Sequence, residues 1–199
     1  MLIGACVLGA HSPLASAHFT PFTLGTPPVP SAYRAAAESV GIPSRLLWAV
    51  ALQESGWRRN SRLVPWPWTL NIAGLPARFA TRAEACRALH QALKQTSSKR
   101  IDVGLAQVNW GYHHEFVRSP CELLDPYRNL AVASRLLFEL HQEGESWVTT
   151  AAHYHHPAGG AEAARYADSL QQRLESVGAN SRTNLLSARA VMTAGVLGR

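Results

Sequence analysis

The run Pro65-Trp66-Pro67-Trp68 cannot lie inside a helix, because each proline lacks the amide proton a helical turn needs and crowds the turn before it. It interrupts a chain whose other long segments carry helical spacing. Arg58 to Ala80 therefore reads as non-helical. Within it, Trp68 to Ile72 and Ala77 to Phe79, joined through Gly74-Leu75-Pro76, predict a small β-hairpin.

The segments on either side read as helices with recognisable ends. Ser31 predicts the cap of a first helix through Ala35, Ala36 and Glu38, stopping at Gly41. Pro43 suits the first turn of a second, which places Leu47, Val50, Ala51 and Glu54 on one face and ends at Ser55-Gly56. Thr81-x-x-Glu84 is a capping box opening a helix to about Gln95. Ile101 to Asn109 is a short extended or turn segment around Gly104. Asn129 to His141 is helical, with Leu130, Ala133, Leu137 and Leu140 on one face. Trp147 to His155 is a helix ended by Pro157 and Gly159-Gly160, and Ala161 to Val177 is the last. With 199 residues, 47% of them hydrophobic, the chain can bury one sizeable core. The expected fold class is mostly α with a small β-hairpin.

The flanks read differently. Leu2 to Ala10 is an apolar run followed by Ala15-Ser16-Ala17, which predicts a signal peptide over 1–17 and export to the periplasm. That run is too short to span a membrane. No Lys or Arg precedes it, and Ile3-Gly4-Ala5-Cys6 offers a lipoprotein reading as the alternative. A proline-rich linker over 18–30, a domain over 31–178 and a tail over 179–199 complete the organisation. In an oxidising compartment Cys86 and Cys121 pair with one another, or else stand apart as small buried hydrophobes. The net charge of +6 permits an anionic partner, whether nucleic acid, an anionic membrane surface or the acidic cell-wall polymer, without selecting one. No nucleic-acid motif accompanies it, and the basic residues are scattered rather than gathered in a stripe.

Glu54 carries the chemistry. It continues an apolar helix face in the last turn, where burial and the negative end of the helix dipole both favour a neutral carboxylic acid. Such a group can protonate a leaving oxygen near neutral pH. The alternative is a salt bridge with Arg45 or Arg58.

The surrounding residues sharpen this reading. Gln53-Glu54-Ser55-Gly56-Trp57 resembles the Q-E-S-G-aromatic motif of the soluble lytic transglycosylase family, relatives of goose-type lysozyme. Gly104-Leu105-Ala106-Gln107-Val108-Asn109 is similar to that family's G-L-M-Q-I-N segment, with Ala106 in place of the methionine. Asp125-Pro126 with Asn129-Leu130 looks like its D-P-x-x-N-I helix start. Ala152-His153-Tyr154-His155 stands where the family has A-Y-N-A-G, and Tyr166-Ala167-Asp168 resembles the element after it. These ordered matches run from about Val40 to Leu170.

The resemblance implies a lysozyme-like domain that cleaves peptidoglycan glycan strands. Glu54 is then the acid and base, with Ser55, Gln107, Asn109 and Tyr154 binding or orienting substrate, and no cofactor is needed. It also implies service to a secretion, conjugation or pilus apparatus. Asp102 reads as a turn residue or surface ion pair. A lysozyme-like hydrolase using Asp102 as second carboxylate is the alternative, and a non-catalytic wall-binding subunit is another. His153, His155 and His156, with His113 and His114, read as polar residues rimming a cleft, since no zinc-ligand spacing accompanies them. The Trp66 to Phe79 segment offers indole faces for sugar stacking or for packing its own lobe.

Overall fold

A computed structural model describes residues 29–177. The expected signal peptide, nearly all of the linker and the C-terminal tail lie outside these residues. The described chain is mostly helical, with a smaller antiparallel β component.

Helix α1 spans Ser31–Glu38, and the residue capping it is Pro30 rather than Ser31. The proline ring holds an extended entry, and the Pro30 carbonyl accepts from the Tyr33 and Arg34 amides, so the serine hydroxyl is not needed. Gly41 in the left-handed region then turns the chain into α2, Ser44–Ser55. Leu46, Leu47, Ala49, Val50 and Ala51 are all buried, so α2 is enclosed on more than the one expected face. It is the central helix of the core.

At its end α2 passes straight into strand β1, Gly56–Arg59, with no linker. Only glycine permits this: a Cβ on residue 56 would stand 2.2 Å from the Leu52 carbonyl oxygen. β1 pairs with β2, Arg62–Pro65, through a two-residue turn in which Asn60 and Ser61 both have positive φ. The sequence pattern did not reveal this ribbon. The expected hairpin follows as β3, Thr69–Ile72, and β4, Leu75–Arg78, joined by Ala73 and Gly74, again both at positive φ.

The sheet is larger than the small hairpin expected. β5, Ile101–Val103, adds to the free edge of β3, and β6, Val108–Asn109, adds to β5, giving the antiparallel order β4-β3-β5-β6. Strand alternation sends Ile101 and Val103 into the core and Asp102 to the other face. The register sets Asn71, Asp102 and Asn109 side by side across three strands.

Between β4 and β5 lies α3, Arg82–Gln95, whose Thr81–Glu84 capping box is formed in both directions. Cys86 on α3 is bonded to Cys121 in the 3-10 turn Pro120–Leu124, the pairing expected from compartment. After the short helix α4, Trp110–His113, comes α5, Pro126–Leu140, which opens three residues earlier than periodicity suggested. Asp125 caps it through the Arg128 amide and Pro126 takes its first position. Leu130, Ala133 and Leu137 are buried, but Leu140, at the helix terminus, runs past the core and is 42% exposed. Helix α6, Trp147–His155, is capped by Ser146, and a final helix α7 occupies 160–177. No helix among the described residues is long and apolar enough to cross a membrane.

Candidate active site

A cleft of about 900 Å³ opens between the sheet and the C-terminal end of α6. Glu54 from α2, Asp102 from β5, Gln107, Asn109, Tyr154 and His155 all border it. The sequence therefore brings together four of its five expected site residues. Ser55 is the one it does not.

Ser55 is fully buried, and its hydroxyl donates to the Leu105 carbonyl at 2.7 Å, with the Ala51 carbonyl at 3.1 Å. It cannot touch a substrate. It ties the end of α2 to the turn between β5 and β6, because an adjacent residue on a helix points about 100° away from the Glu54 side chain.

That turn is the hub of the site. Gly104 sits at φ +85°, and a Cβ there would lie 2.4 Å from the Asn129 amide nitrogen. Asn129, buried in the first turn of α5, donates to the Val103 and Leu123 carbonyls and accepts from the Ala106 amide at 2.9 Å. Tyr154 from α6 donates its hydroxyl to the Ala106 carbonyl at 2.8 Å. Gln107, at positive φ, folds its amide back to donate to the Gly104 and Thr69 carbonyls. Three helices thus hold one four-residue turn, 104–107, each through a single polar side chain. The small Ala106 is itself buried beneath these contacts.

Beside the turn, Asp102 accepts from Asn109 at 2.7 Å and from Asn71 at 3.1 Å, one bond to each carboxylate oxygen. It is neither a turn residue nor a surface ion pair. Strand alternation carries it into the cleft, where no lysine or arginine pairs with it among the described residues and His155 is near enough for their charges to interact. Burial pushes its carboxyl up; the Asn109 bond opposes this and the nearby Glu54 charge adds to it. Asn109 also caps α4, accepting from the Gly111 and Tyr112 amides.

The Glu54 side chain is only 9% exposed. No arginine pairs with it among the described residues, so neither Arg45 nor Arg58 neutralises it. Its Oε1 instead lies 3.3 Å from His155 Nδ1. That oxygen makes no hydrogen bond of good geometry, so the approach is an ionic contact rather than a formed bond. The His155 ring stacks on Tyr166 of α7, centroids 4.3 Å apart and nearly parallel. The buried Tyr166 phenol is pushed well above its ordinary range by burial and by the Glu54 carboxylate it faces. Tyr154 is shifted the same way, by burial and then by the charges of Glu54 and Asp102.

His155 stands where the resembled family has asparagine, and Tyr166 opens the last of the matched segments, so both were legible as motif positions. Nothing in spacing along the chain announces that both meet Glu54. Of the remaining histidines, His113 and His156 border the cleft with His155, as expected of residues rimming one, while His153 turns to Glu145 at 3.5 Å and His114 to Glu115. The grouping of potential metal donors among the described residues is Cys86, His90 and Cys121, outside the cleft, and its two sulfurs are bonded to each other. The tryptophans also stay out of the cleft. Trp57, Trp66 and Trp68 pack edge to face, Trp66 donates to the Phe79 carbonyl, and Arg59 covers Trp57 and Trp66.

Compared with known protein families, with curated proteins and with solved structures, the chain matches none.

Proposed function

We propose that this chain is a peptidoglycan lytic transglycosylase with a lysozyme-like helical domain, in which Glu54 acts as the single acid and base. The observation that carries the reading is a nearly buried glutamic side chain, paired with no arginine among the described residues, opening onto a cleft of about 900 Å³ at a helix end. A scaffold has no use for an acid so placed, since burying it costs stability. The resemblance of the Gln53 to Trp57 and Gly104 to Asn109 segments to the soluble lytic transglycosylases supplies the substrate and the reaction.

In this reading protonated Glu54 gives its proton to the oxygen linking N-acetylmuramic acid C1 to N-acetylglucosamine. The C1–O bond breaks, and Glu54, now a carboxylate, takes the proton of the muramoyl 6-hydroxyl as O6 closes onto C1. The product carries a 1,6-anhydro end and Glu54 is again protonated. The substrate supplies its own nucleophile, so no second carboxylate, metal or cofactor is called for. Gln107, Asn109 and Tyr154 border the path of the glycan, and the turn that Gln107 and Tyr154 brace shapes its floor. Export to the periplasm and service to a secretion, conjugation or pilus apparatus belong to the same proposal.

A second reading rests on the placement of Asp102. A carboxylate in the same cleft as Glu54 suits a lysozyme-like hydrolase, in which it acts as nucleophile or base. Against it stands the engagement of both Asp102 oxygens by Asn71 and Asn109. Mass spectrometry of muropeptides released from purified sacculi separates the readings. Anhydro ends support transglycosylation, reducing ends support hydrolysis, and binding with no release removes both.

A further inference from the structure

Glu54 is expected to work alone, yet in the folded chain it is not alone. His155 ends α6 with its Nδ1 3.3 Å from the Glu54 Oε1, and its side chain is 46% exposed at the cleft. Its ring is clamped flat against Tyr166, so the imidazole edge has little freedom to turn away. The groups facing His155 are Glu54 from α2, Asp102 from β5, Glu162 from the first turn of α7, and Tyr166 one turn further on. Every charge among them is negative.

We propose that His155 is a positioning residue that shares one proton with Glu54, so that the two side chains titrate and act as a single acid–base unit. This rests on the transglycosylase reading of the same cleft. The shared proton sits on either partner. With it on Glu54, the acid is armed and His155 is neutral. With it on His155, an imidazolium stands beside the Glu54 carboxylate, and the proton passes to Glu54 before the leaving oxygen takes it, which leaves Glu54 a carboxylate and His155 neutral. The 6-hydroxyl then returns a proton as the C1–O6 bond forms, and the unit holds one proton again. Nothing is oxidised or reduced, and no other reactant enters.

Charge-assisted bonds usually run about 2.7–2.9 Å. The contact here, at 3.3 Å without good alignment, is longer, and catalytic contacts of this kind tighten when substrate binds. The Glu54 carboxylate raises the affinity of His155 for its proton against the effect of burial, and Asp102 and Glu162 add to it.

A proton with two places to sit is released at higher pH than a proton with one. The test is the pH profile of anhydromuropeptide release from purified sacculi by the full chain, wild type against His155→Asn and His155→Gln. In both variants the alkaline limb of kcat/KM should move to lower pH, and the rate measured on that limb should fall about tenfold. A side chain that merely packs against Glu54 would lower the rate equally at every pH. The second measurement is NMR titration of the His155 ring in wild type and in Glu54→Gln, which needs no turnover. The His155 titration should move to lower pH when Glu54 is neutralised. Cleavage with an unmoved alkaline limb, or a His155 titration unchanged by Glu54→Gln, overturns the proposal and leaves the transglycosylase reading standing. A wild-type chain that releases no anhydro product overturns that reading, and this one with it.

Discussion

The Tyr154 hydroxyl donates to the Ala106 carbonyl at 2.8 Å, across 48 residues of chain. The tyrosine braces the turn between β5 and β6, as Ser55 does from α2 and Asn129 does from α5, while its phenol also feels the Glu54 charge. Motif residues from three separate segments thus converge on a turn that is itself the fourth, and together they hold it fixed beside one carboxylate, the positional precision that the proposed proton transfer would require.

Glu54→Gln should fold as wild type and lose glycan cleavage by about 10²–10⁴-fold, the range general acid–base groups supply. Release of muropeptides from sacculi, followed by mass spectrometry, measures this. Near-normal turnover would remove Glu54 as the acid.

Asp102→Asn keeps a hydrogen-bonding side chain on the Asn71 and Asn109 face of the sheet. If Glu54 acts without a second carboxylate, the variant still makes anhydro ends. Loss of all product with an intact fold would favour Asp102 as a partner in hydrolysis.

Two variants separate bracing from substrate contact. Ser55→Ala removes a buried hydroxyl bond and should cost about 1 kcal/mol in urea unfolding, with KM unchanged. Asn129→Ala leaves the Ala106 amide and the Val103 and Leu123 carbonyls without their partner, so it should cost more, about 3 kcal/mol. A Ser55→Ala variant with unchanged stability and a raised KM would contradict the assignment.

The Cys86–Cys121 bond closes a loop of 35 residues, for which the chain-entropy account gives about 3–4 kcal/mol of stabilisation. The paired variant Cys86→Ser with Cys121→Ser should lose that much against the oxidised protein, and reductant should leave the variant unmoved. Equal melting of the two proteins would show that the bridge constrains nothing.

His155 holds its proton more tightly in the folded chain than unfolded, chiefly through Glu54. Its contribution to stability is therefore full below the unfolded value of about 6.5 and is lost as pH rises through the higher folded value. Tm measured from pH 5 to 9 should show this decline in wild type, and Glu54→Gln should flatten it. A Glu54→Gln profile parallel to wild type would mean that another group is responsible.

Much of this protein is local, and local physics is readable along a chain. The Thr81–Glu84 capping box, the limits of α6 and the β3–β4 hairpin follow from caps, prolines and turn residues that act within a few positions. The inward course of Glu54 follows from helical period alone. The β1–β2 ribbon escaped because Asn60-Ser61 is a weaker turn signal than a glycine pair, and four-residue strands carry too little pattern. The growth of the hairpin into a four-stranded sheet escaped because pairing of β3 with β5 spans α3, and strand partners across such a gap leave no period in sequence. For the same reason only the assembled fold could put Asp102 into the cleft, withdraw Ser55 from it and set His155 against Glu54. Sequence determines which side chains share a face. What stands opposite that face depends on how separate elements pack, because the burial energy that drives packing is non-directional and names no partner in advance.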